Sequence, residues 1–248
     1  MATRRKTPVN LITTEPHACS VDLHLRILGK LPFFSGIAND KLIDINQKFV
    51  EVGYEAGQFI YSAGDSAERL FVVADGKVKL FQPTVSGRDV LLDILSTGEF
   101  FGNLVSLGTK VYPDTAQAQT SACILSIDSS TFRQIMDANP ELTLKALEVV
   151  AARLNESNQR VLQLSSMSTE QRLASTLVKL VRKFGREKIE STLIDVPLSR
   201  YDLAEMTGTT PETVSRILSQ FQTDGIINSG RQWIAVTNTQ NLSDLAGE

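Results

Sequence analysis

Residues 50–128 carry short apolar runs separated by turn signals, a pattern that is typical of β-structure. The runs occupy residues 59–61, 70–74, 77–81 and 90–95. The pair Asp75-Gly76 between two of these runs is a strong hairpin signal. Gly76, Gly87 and Gly98 recur every 11 residues, as expected for regularly spaced turns. We therefore predict an antiparallel β-sandwich or jelly roll over this region.

A long helix is predicted after the β-region. Asn139, Pro140 and Glu141 together indicate a helix N-terminus, with a side-chain cap, a proline in the first turn and an early acid. A seam of positions spaced three or four apart follows, and it consists of Leu147, Val150, Leu154, Asn158 and Val161. Such a seam is expected where two copies of a helix pair, and a polar residue within it can fix their register. We favour a homodimer helix, and a helix packed on its own domain is the alternative.

A second helix is predicted over residues 169–184, and Gly185 is placed to end it. Its apolar stripe comprises Leu173, Leu177, Leu180, Val181 and Phe184. Basic residues cluster on this helix and just after it, at Lys179, Arg182, Lys183, Arg186 and Lys188. Such a cluster is usually a solvated face. Here its proximity to the motif that follows favours contact with phosphates.

Residues 197–236 carry the densest motif of the chain. A short helical run over 200–206 follows the candidate N-cap Ser199, and Gly208 supplies the turn to a second run over 211–221. The second run has an apolar face at helical spacing, made of Val214, Ile217, Leu218 and Phe221. Two short helices around a glycine turn predict a helix-turn-helix, whose second helix reads bases in the major groove.

Three side chains on the opposite side of that second helix suit base recognition. Arg216 can donate two hydrogen bonds to guanine, Glu212 can accept from the amino group of cytosine, and Ser215 is a short adaptable partner. Residues 224–236 predict a β-hairpin wing beside the helix. The candidate contacts to the DNA backbone are Ser199, Thr209, Thr210, Lys183 and Arg231.

Composition narrows the function classes. The 248 residues carry a formal net charge of −3, which argues against coating nucleic acid or membrane by bulk charge. Two cysteines cannot build a disulfide framework, and two histidines leave little material for a histidine-rich metal site. No signal-peptide core or membrane span is predicted, so we expect a cytoplasmic protein with reduced thiols. The basic residues Arg4, Arg5 and Lys6 suggest a mobile tail, with a tail that touches DNA as the alternative.

These motifs together resemble the CRP/FNR family of bacterial transcription regulators along nearly the whole chain. Glu212-Thr-Val-Ser-Arg216 matches the Glu-x-x-Ser-Arg recognition pattern of the FNR branch, and residues 171–174 and 221–225 also resemble that branch. The resemblance implies an α+β fold with an N-terminal tail (1–20), a cyclic-nucleotide-binding-type β-roll that senses an effector (21–138), a dimerisation helix (139–166) and a winged helix-turn-helix domain (167–248).

The family resemblance also implies the partners. Its members bind palindromic promoter DNA as homodimers and work with RNA polymerase; they are neither enzymes nor membrane proteins. By this resemblance Glu212, Ser215 and Arg216 read an inverted repeat similar to TTGAT-N4-ATCAA. Jelly rolls also occur in metal oxygenases, but residues 50–128 contain no histidine, which argues against that class. A cyclic-nucleotide-binding module without DNA binding is a further alternative, disfavoured by the recognition helix.

The effector pocket departs from the pattern of the cyclic-AMP-binding members. Their Gly-Glu-Leu segment is replaced here by Gly102, Asn103 and Leu104, and residues 111–116 lack the arginine that binds phosphate. Asp114 in that segment would repel a phosphate. The resemblance therefore disfavours cyclic AMP. The pocket segment that begins with Tyr112 and Pro113 instead resembles members that respond to oxygen or nitric oxide, and a small organic ligand is the alternative.

Two cysteines are too few for the four-cysteine [4Fe–4S] cluster of the FNR branch within one subunit, and a cluster with mixed ligands or one that bridges two subunits is the alternative. His17 and Cys19 offer an imidazole and a thiolate, either of which can be an axial haem ligand. A thiol redox switch and an ordinary surface segment are the alternatives for these two residues. His24 lies in a predicted helix, where an exposed or packed histidine is expected, and Cys123 in an apolar run is expected to be a small buried residue.

Overall fold

The computed structural model describes residues 8–9, 21–84, 87, 89–102 and 110–247. It divides into two compact units, one of Ile12–Ser157 and one that joins Met1–Leu11 to Asn158–Glu248. We refer to them, after the roles that the family resemblance implies, as the sensor unit and the DNA-binding unit. The division falls within the long helix that the seam predicts, rather than at either of its ends.

Eight strands of the sensor unit form two four-stranded antiparallel sheets, with orders β1-β8-β3-β6 and β2-β7-β4-β5. The strands are β1 Val50–Tyr54, β2 Phe59–Tyr61, β3 Arg69–Asp75, β4 Val78–Pro83, β5 Asp89–Leu95, β6 Phe100–Gly102, β7 Thr115–Ala118 and β8 Ala122–Asp128. The four apolar runs predicted as strands are confirmed as β2 to β5. Gly76, Gly87 and Gly98 all have positive φ, which explains why glycine occupies these turns.

Strand β3 is buried on both faces because it separates two cores. Phe71 and Val73 point into the core between the two sheets, which also contains residues of β2, β4 and β7. Leu70 and Val72 point into a second core under the helices. The helices on that side are α1 Val21–Leu28, α2 Asn39–Asn46 and α3 Ser129–Ala138, with a 3-10 turn at Pro32–Phe34.

The long helix α4 runs from Pro140 to Ser166, as predicted from its proline and acid. Leu142 and Ala146 on its first turns are buried against the helical core of the sensor unit. Asn139 was predicted as its cap. Its side-chain amide instead donates to the carbonyl of Ile135 at 2.8 Å and so serves the end of α3.

In the described part of the DNA-binding unit, the end of α4 is followed by helices α5 to α8 and a four-stranded antiparallel sheet of order β11-β12-β10-β9. Its elements are α5 Thr169–Phe184, β9 Gly185–Lys188, β10 Ser191–Ile194, α6 Arg200–Thr207, α7 Pro211–Thr223, β11 Ile227–Gly230, β12 Trp233–Val236 and α8 Thr239–Ala246. Gly185 ends α5 as predicted, but with φ −64° rather than in the left-handed region. A Cβ here would lie 2.3 Å from the carbonyl oxygen of Val181, so glycine allows the chain to pass directly into β9.

Candidate nucleic-acid interface

Helix α7 has one buried face and one exposed face, and the predicted base-reading residues lie on the exposed one. Thr210 caps the helix by accepting from the backbone N–H of Thr213 at 3.3 Å, and Pro211 starts it. The four predicted apolar residues are buried: Val214, Ile217, Leu218 and Phe221. Glu212, Ser215 and Arg216 are exposed. Because the apolar face is buried, the three predicted base-reading side chains face solvent near the N-terminus of the helix.

The turn before α7 is held by backbone conformation and by one arginine. Gly208 adopts the left-handed conformation, with φ +63°, and ends α6. Arg172 of α5 donates from Nε to the carbonyl of Thr207 at 3.0 Å and from Nη1 to the carbonyl of Met167 at 2.8 Å. The sequence pattern did not single out this role of Arg172. These bonds fix the position of the turn, and with it the start of the recognition helix.

Two hydroxyls predicted to contact DNA, that of Ser199 at the backbone and that of Ser215 at a base, already have partners inside the unit. Ser199 caps α6, and its Oγ donates to the carboxylate of Asp202 at 2.6 Å. The Oγ of Ser215 donates to the carbonyl of Pro211 at 2.8 Å. Each oxygen keeps lone pairs that can accept, while its proton is used within the helix. Lys183 and Thr209 are partly exposed, and the contacts of all these residues to DNA stay predictions.

The predicted wing is confirmed as strands β11 and β12, joined by Arg231 and Gln232. Arg231 is exposed at its tip. Gly230 is required because a Cβ would lie 2.4 Å from Nε1 of Trp233. Arg200 at the start of α6 donates to Oγ of Ser229 in β11 at 3.0 Å.

Ser229 also links the wing to the recognition helix, because its Oγ donates to Oε1 of Gln222 at 3.0 Å. Arg200, Ser229 and Gln222 therefore connect the three parts of the interface. Sequence periodicity did not reveal this network, since 29 positions separate Arg200 from Ser229.

The predicted seam of α4 is exposed. Its apolar members are 47% to 64% exposed, and they are Leu147, Val150, Leu154 and Val161. Asn158 within the seam is exposed as well. The helix packs on its own unit through another face, which carries Leu142 and Ala146. Packing of α4 on its own domain, the alternative to a dimer helix, therefore accounts for the face of Leu142 and Ala146 but not for the seam.

Two of the predicted effector-pocket residues, Gly102 and Tyr112, lie against aromatic side chains of the roll. Tyr112 is buried, stacks on Tyr61 with 3.9 Å between ring centroids, and donates from its hydroxyl to the carbonyl of Arg69 at 3.0 Å. Gly102 has φ +82°, and a Cβ there would lie 2.7 Å from the Phe71 ring. Pro113 is exposed. Asn103 and Leu104 lie outside the described residues.

Asp114 is held beside these side chains by a hydrogen bond that Tyr61 donates, with 2.9 Å between Oη and Oδ1. Burial raises the pKa of the Asp114 carboxyl, and the hydrogen bond from Tyr61 opposes that rise. The pKa of Tyr61 is raised by burial and by the neighbouring carboxylate. A phosphate would meet a carboxylate at this point, as the sequence indicates.

Arg153 of α4 reaches the edge of the roll and was not predicted as a functional residue. Its guanidinium lies 3.9 Å from the centre of the Phe100 ring. Its Nη2 donates to the carbonyl of Phe100 at 2.7 Å. Phe100 begins β6, and the same strand ends at Gly102 in the candidate pocket. Arg153 therefore joins the pocket strand directly to the helix that carries the exposed seam.

The candidate metal or haem ligands His17 and Cys19 lie outside the described residues. His24 is packed in α1, with Nε2 3.1 Å from Oε2 of Glu51. Cys123 is buried as predicted, but it is disulfide-bonded, so the prediction of reduced thiols is wrong at this residue. Within the described ranges no group of three or more His, Cys, Asp or Glu side chains could hold a metal ion. No helix of those ranges is long and apolar enough to cross a membrane.

Comparison with known families matches both units. Residues 51–139 match the cyclic nucleotide-binding domain, and residues 171–245 match the Crp-like helix-turn-helix domain. The chain is 24% identical over 217 residues to the CRP-like cAMP-activated global transcriptional regulator of Mycobacterium tuberculosis H37Rv, covering 88% of this chain and 97% of that protein. It is 25% identical over 193 residues to the fumarate and nitrate reduction regulatory protein of Escherichia coli K12, covering 78% and 77% of the two chains.

Solved structures agree with these sequence matches. FixK2 from Bradyrhizobium japonicum superposes with a TM-score of 0.71 at 25% identity, covering 79% of this chain and 96% of that one. A CooA mutant from Carboxydothermus hydrogenoformans gives a TM-score of 0.68 at 24% identity, over 82% and 90% of the two chains, and shares the fold. Both domains, in this order, and these regulator relatives identify the chain as a member of the CRP/FNR family of DNA-binding transcription regulators, which are not enzymes.

Proposed function

We propose that this regulator binds promoter DNA as a homodimer and reads an inverted repeat resembling TTGAT-N4-ATCAA. The observation that carries this proposal is the joint exposure of Glu212, Ser215 and Arg216 on one side of a helix whose other side is buried. Arginine recognises guanine by two hydrogen bonds, and glutamate accepts from cytosine. Two copies related by a two-fold axis would then read two half-sites about one helical turn apart.

The second copy is proposed to pair along the exposed seam of α4. A 27-residue helix that leaves a stripe of leucine and valine side chains in water gains free energy when an identical stripe covers it. Asn158 within the stripe is suited to fix the register of the two helices. RNA polymerase is the further partner that the family relationship suggests.

The base-reading role is tested by electrophoretic mobility shift with the inverted repeat and a random duplex of equal length. Arg216→Ala should lose about 1–3 kcal/mol on the repeat, or roughly 5- to 150-fold in affinity, and should discriminate less at one base pair. Arg133→Ala removes an exposed arginine from α3 of the sensor unit and serves as the matched control. An equal loss on both duplexes would contradict base reading by Arg216.

We infer that the signal is related to redox state, oxygen or nitric oxide rather than to cyclic AMP. Two observations support this inference: Asp114 of the pocket segment accepts a hydrogen bond from Tyr61, and Cys123 is disulfide-bonded. The contact of Arg153 with Phe100 offers a route by which a change in the roll reaches α4. Such control requires that the signal favour one of two arrangements of the dimer.

Haem is the alternative cofactor, with His17 or Cys19 as the axial ligand; the chain has two cysteines, so Cys19 can serve only where it is not the disulfide partner of Cys123. The described residues do not add a second ligand, because His24 is packed against Glu51 and Cys123 is disulfide-bonded. Bound haem would supply a site for diatomic gases. A small organic ligand in the roll is the other candidate, favoured by the aromatic interior around Tyr61 and Tyr112.

Three measurements on protein purified without oxygen separate these candidates: its absorption spectrum, its mass before and after treatment with a dithiol, and calorimetry with cyclic AMP. A Soret band would favour haem, and a broad thiolate-to-iron band would favour a cluster. A featureless spectrum would favour the disulfide as a redox switch, provided that the intact protein is two hydrogen masses lighter than the fully reduced chain. Treatment with a dithiol should then restore the missing mass. Tight binding of cyclic AMP would refute the inference about the signal.

A further inference from the structure

The last turn of α4 is bonded to α5 through one glutamine. Only Met167 and Ser168 separate the two helices. Gln163 in that turn donates from Nε2 to Oγ of Ser175 and accepts at Oε1 from Nζ of Lys179, each at 3.3 Å. Ser175 is buried, so the first of these bonds reaches the packed side of α5. The end of α4 is therefore held on α5 by side chains as well as by the short link.

Arg172 of α5 extends this connection to the turn before the recognition helix. Besides its bonds to the carbonyls of Thr207 and Met167, it donates from Nη2 to Oγ1 of Thr169 at 3.3 Å. One guanidinium thus joins three places: the link after α4, the first turn of α5 and the turn that precedes α7. A movement of the end of α4 relative to that turn would break these bonds.

The same stretch of α4 carries the end of the exposed seam. Val161 is 64% exposed and belongs, with the recognition helix, to the unit that contains Asn158–Glu248. Leu164 follows within one turn and lies against the turn before α7, because a Cβ at Gly208 would be 3.6 Å from its Cδ2. The proposed pairing surface and the recognition helix are therefore connected within one unit.

We propose that Gln163, Arg172 and Lys179 form a clamp that sets the spacing between half-sites which the dimer accepts. The clamp holds each recognition helix at a fixed place relative to the paired ends of the α4 helices. The three are positioning residues, which act through α7 rather than by touching bases. The inference rests on the proposed function, because it requires a homodimer that reads an inverted repeat.

A change of spacing loads this clamp because DNA is helical. One extra base pair moves the second half-site by about 3.4 Å along the duplex and turns it by about 35°. The dimer can then read both half-sites only if the clamp gives way, and otherwise it loses one half-site. The bonds of the clamp therefore limit how strongly a wrong spacing is rejected. A typical hydrogen bond in a protein favours the bonded state by a factor of about 2 to 13.

The test measures the affinity of the full chain for four duplexes by electrophoretic mobility shift. They are the repeat with a four-base spacer, the repeat with a five-base spacer, a single half-site and a random sequence. Gln163→Ala removes both bonds of the glutamine and keeps a good helix former. Because both bonds are long, we expect the preference for the four-base spacer to fall by about fivefold, with the affinity for the half-site unchanged. Gln159→Ala makes the same change at an exposed position one turn earlier and should leave the preference as in the wild type.

Arg172→Lys is a second variant that keeps the positive charge. An ammonium group cannot reproduce the planar fork of the guanidinium, so the link after α4 and the turn before α7 are no longer joined by one group. Hydrogen bonds from charged groups are stronger than average, and we expect the spacer preference to fall by about tenfold or more. A thermal unfolding curve for each variant verifies that the DNA-binding unit is folded.

The outcomes distinguish failure of the clamp from failure of the proposed function. Wild type that binds the repeat no more tightly than random DNA would refute the proposed function and the clamp with it. Wild type that prefers the repeat but accepts both spacers equally would overturn the clamp alone, and so would an unchanged spacer preference in both variants. Equal losses on the half-site and on the repeat would also overturn it, because the residues would then support α7 itself rather than the spacing. A loss of preference in Gln159→Ala as large as in Gln163→Ala would have the same consequence.

Discussion

Leu154→Asp tests whether the exposed seam of α4 is a dimer interface. Leu154 lies in the middle of the seam and is 60% exposed. On an ideal helix it shares a side with Leu147 and Val161, one heptad away in each direction. We expect this single change to dissociate the protein at concentrations where the wild type is dimeric.

The magnitude follows from the exposed area. Burying a whole leucine side chain contributes about 1.5–3 kcal/mol, so covering the exposed three-fifths of Leu154 contributes about 1–2 kcal/mol per copy. Two copies contribute about 2–4 kcal/mol, and Leu154→Ala should therefore weaken dimerisation by roughly 30- to 800-fold. Leu154→Asp should weaken it further, since each dimer would have to bring two carboxylates into an apolar seam.

Sedimentation equilibrium over a hundredfold range of concentration measures the effect. Ala152→Asp is the matched control, because it introduces the same residue at an exposed position about half a turn away on the same helix. Both variants carry the same penalty of aspartate in a helix, so a difference between them reports the seam. If Leu154→Asp sediments as the wild type does, the seam is not the interface and the reasoning from exposure is refuted.

Two further predictions concern stability. Gly208→Ala should destabilise the DNA-binding unit by about 1–2 kcal/mol in urea unfolding, because Gly208 has a left-handed backbone, while a Cβ there would make only an ordinary contact with Leu164 at 3.6 Å. Gly208→Asn should recover part of that loss, because asparagine tolerates the left-handed conformation better than alanine does. Equal losses for the two variants would indicate a steric effect of the side chain instead. The raised pKa of Asp114 means that its contribution to stability is complete below the pKa of the unfolded chain, about 4, and is lost as pH rises through the folded value. The variant Asp114→Asn keeps an acceptor for Tyr61 but has no carboxyl group to titrate. Its melting temperature should therefore fall less between pH 4 and pH 8 than that of the wild type. Parallel plots of melting temperature against pH would contradict this prediction.

The elements that sequence predicts best are those whose signals are contiguous. Helix α5 was expected over residues 169–184 and has those bounds, because Ser168 and Gln171 form a capping box at one end and Gly185 ends the other. The recognition helix is equally local, since Thr210, Pro211 and a helical apolar stripe define it within 13 residues. Local chemistry of this kind needs no tertiary information.

Strands β9 and β10 were not predicted, because what determines them is pairing with other strands rather than a local sequence signal. The sequence of Gly185–Lys188 is part of a basic cluster and contains no strand pattern. These residues form a strand because they pair with Ser191–Ile194. The pairing of β10 with β12 joins residues more than 40 positions apart. Tertiary pairing therefore decides these elements, as it commonly does for strands.

The same distinction explains why the candidate DNA-reading residues can be proposed from sequence, whereas the contacts inside the sensor unit cannot. Glu212, Ser215 and Arg216 lie within five positions, and one helix brings them together. The sensor depends on pairs such as Tyr61 with Asp114, 53 positions apart, and Arg153 with Phe100, also 53 apart. Each of these pairs follows from sheet order and helix placement rather than from spacing. A regulator of this family can therefore keep a recognisable DNA interface while its signal changes through a few long-range contacts.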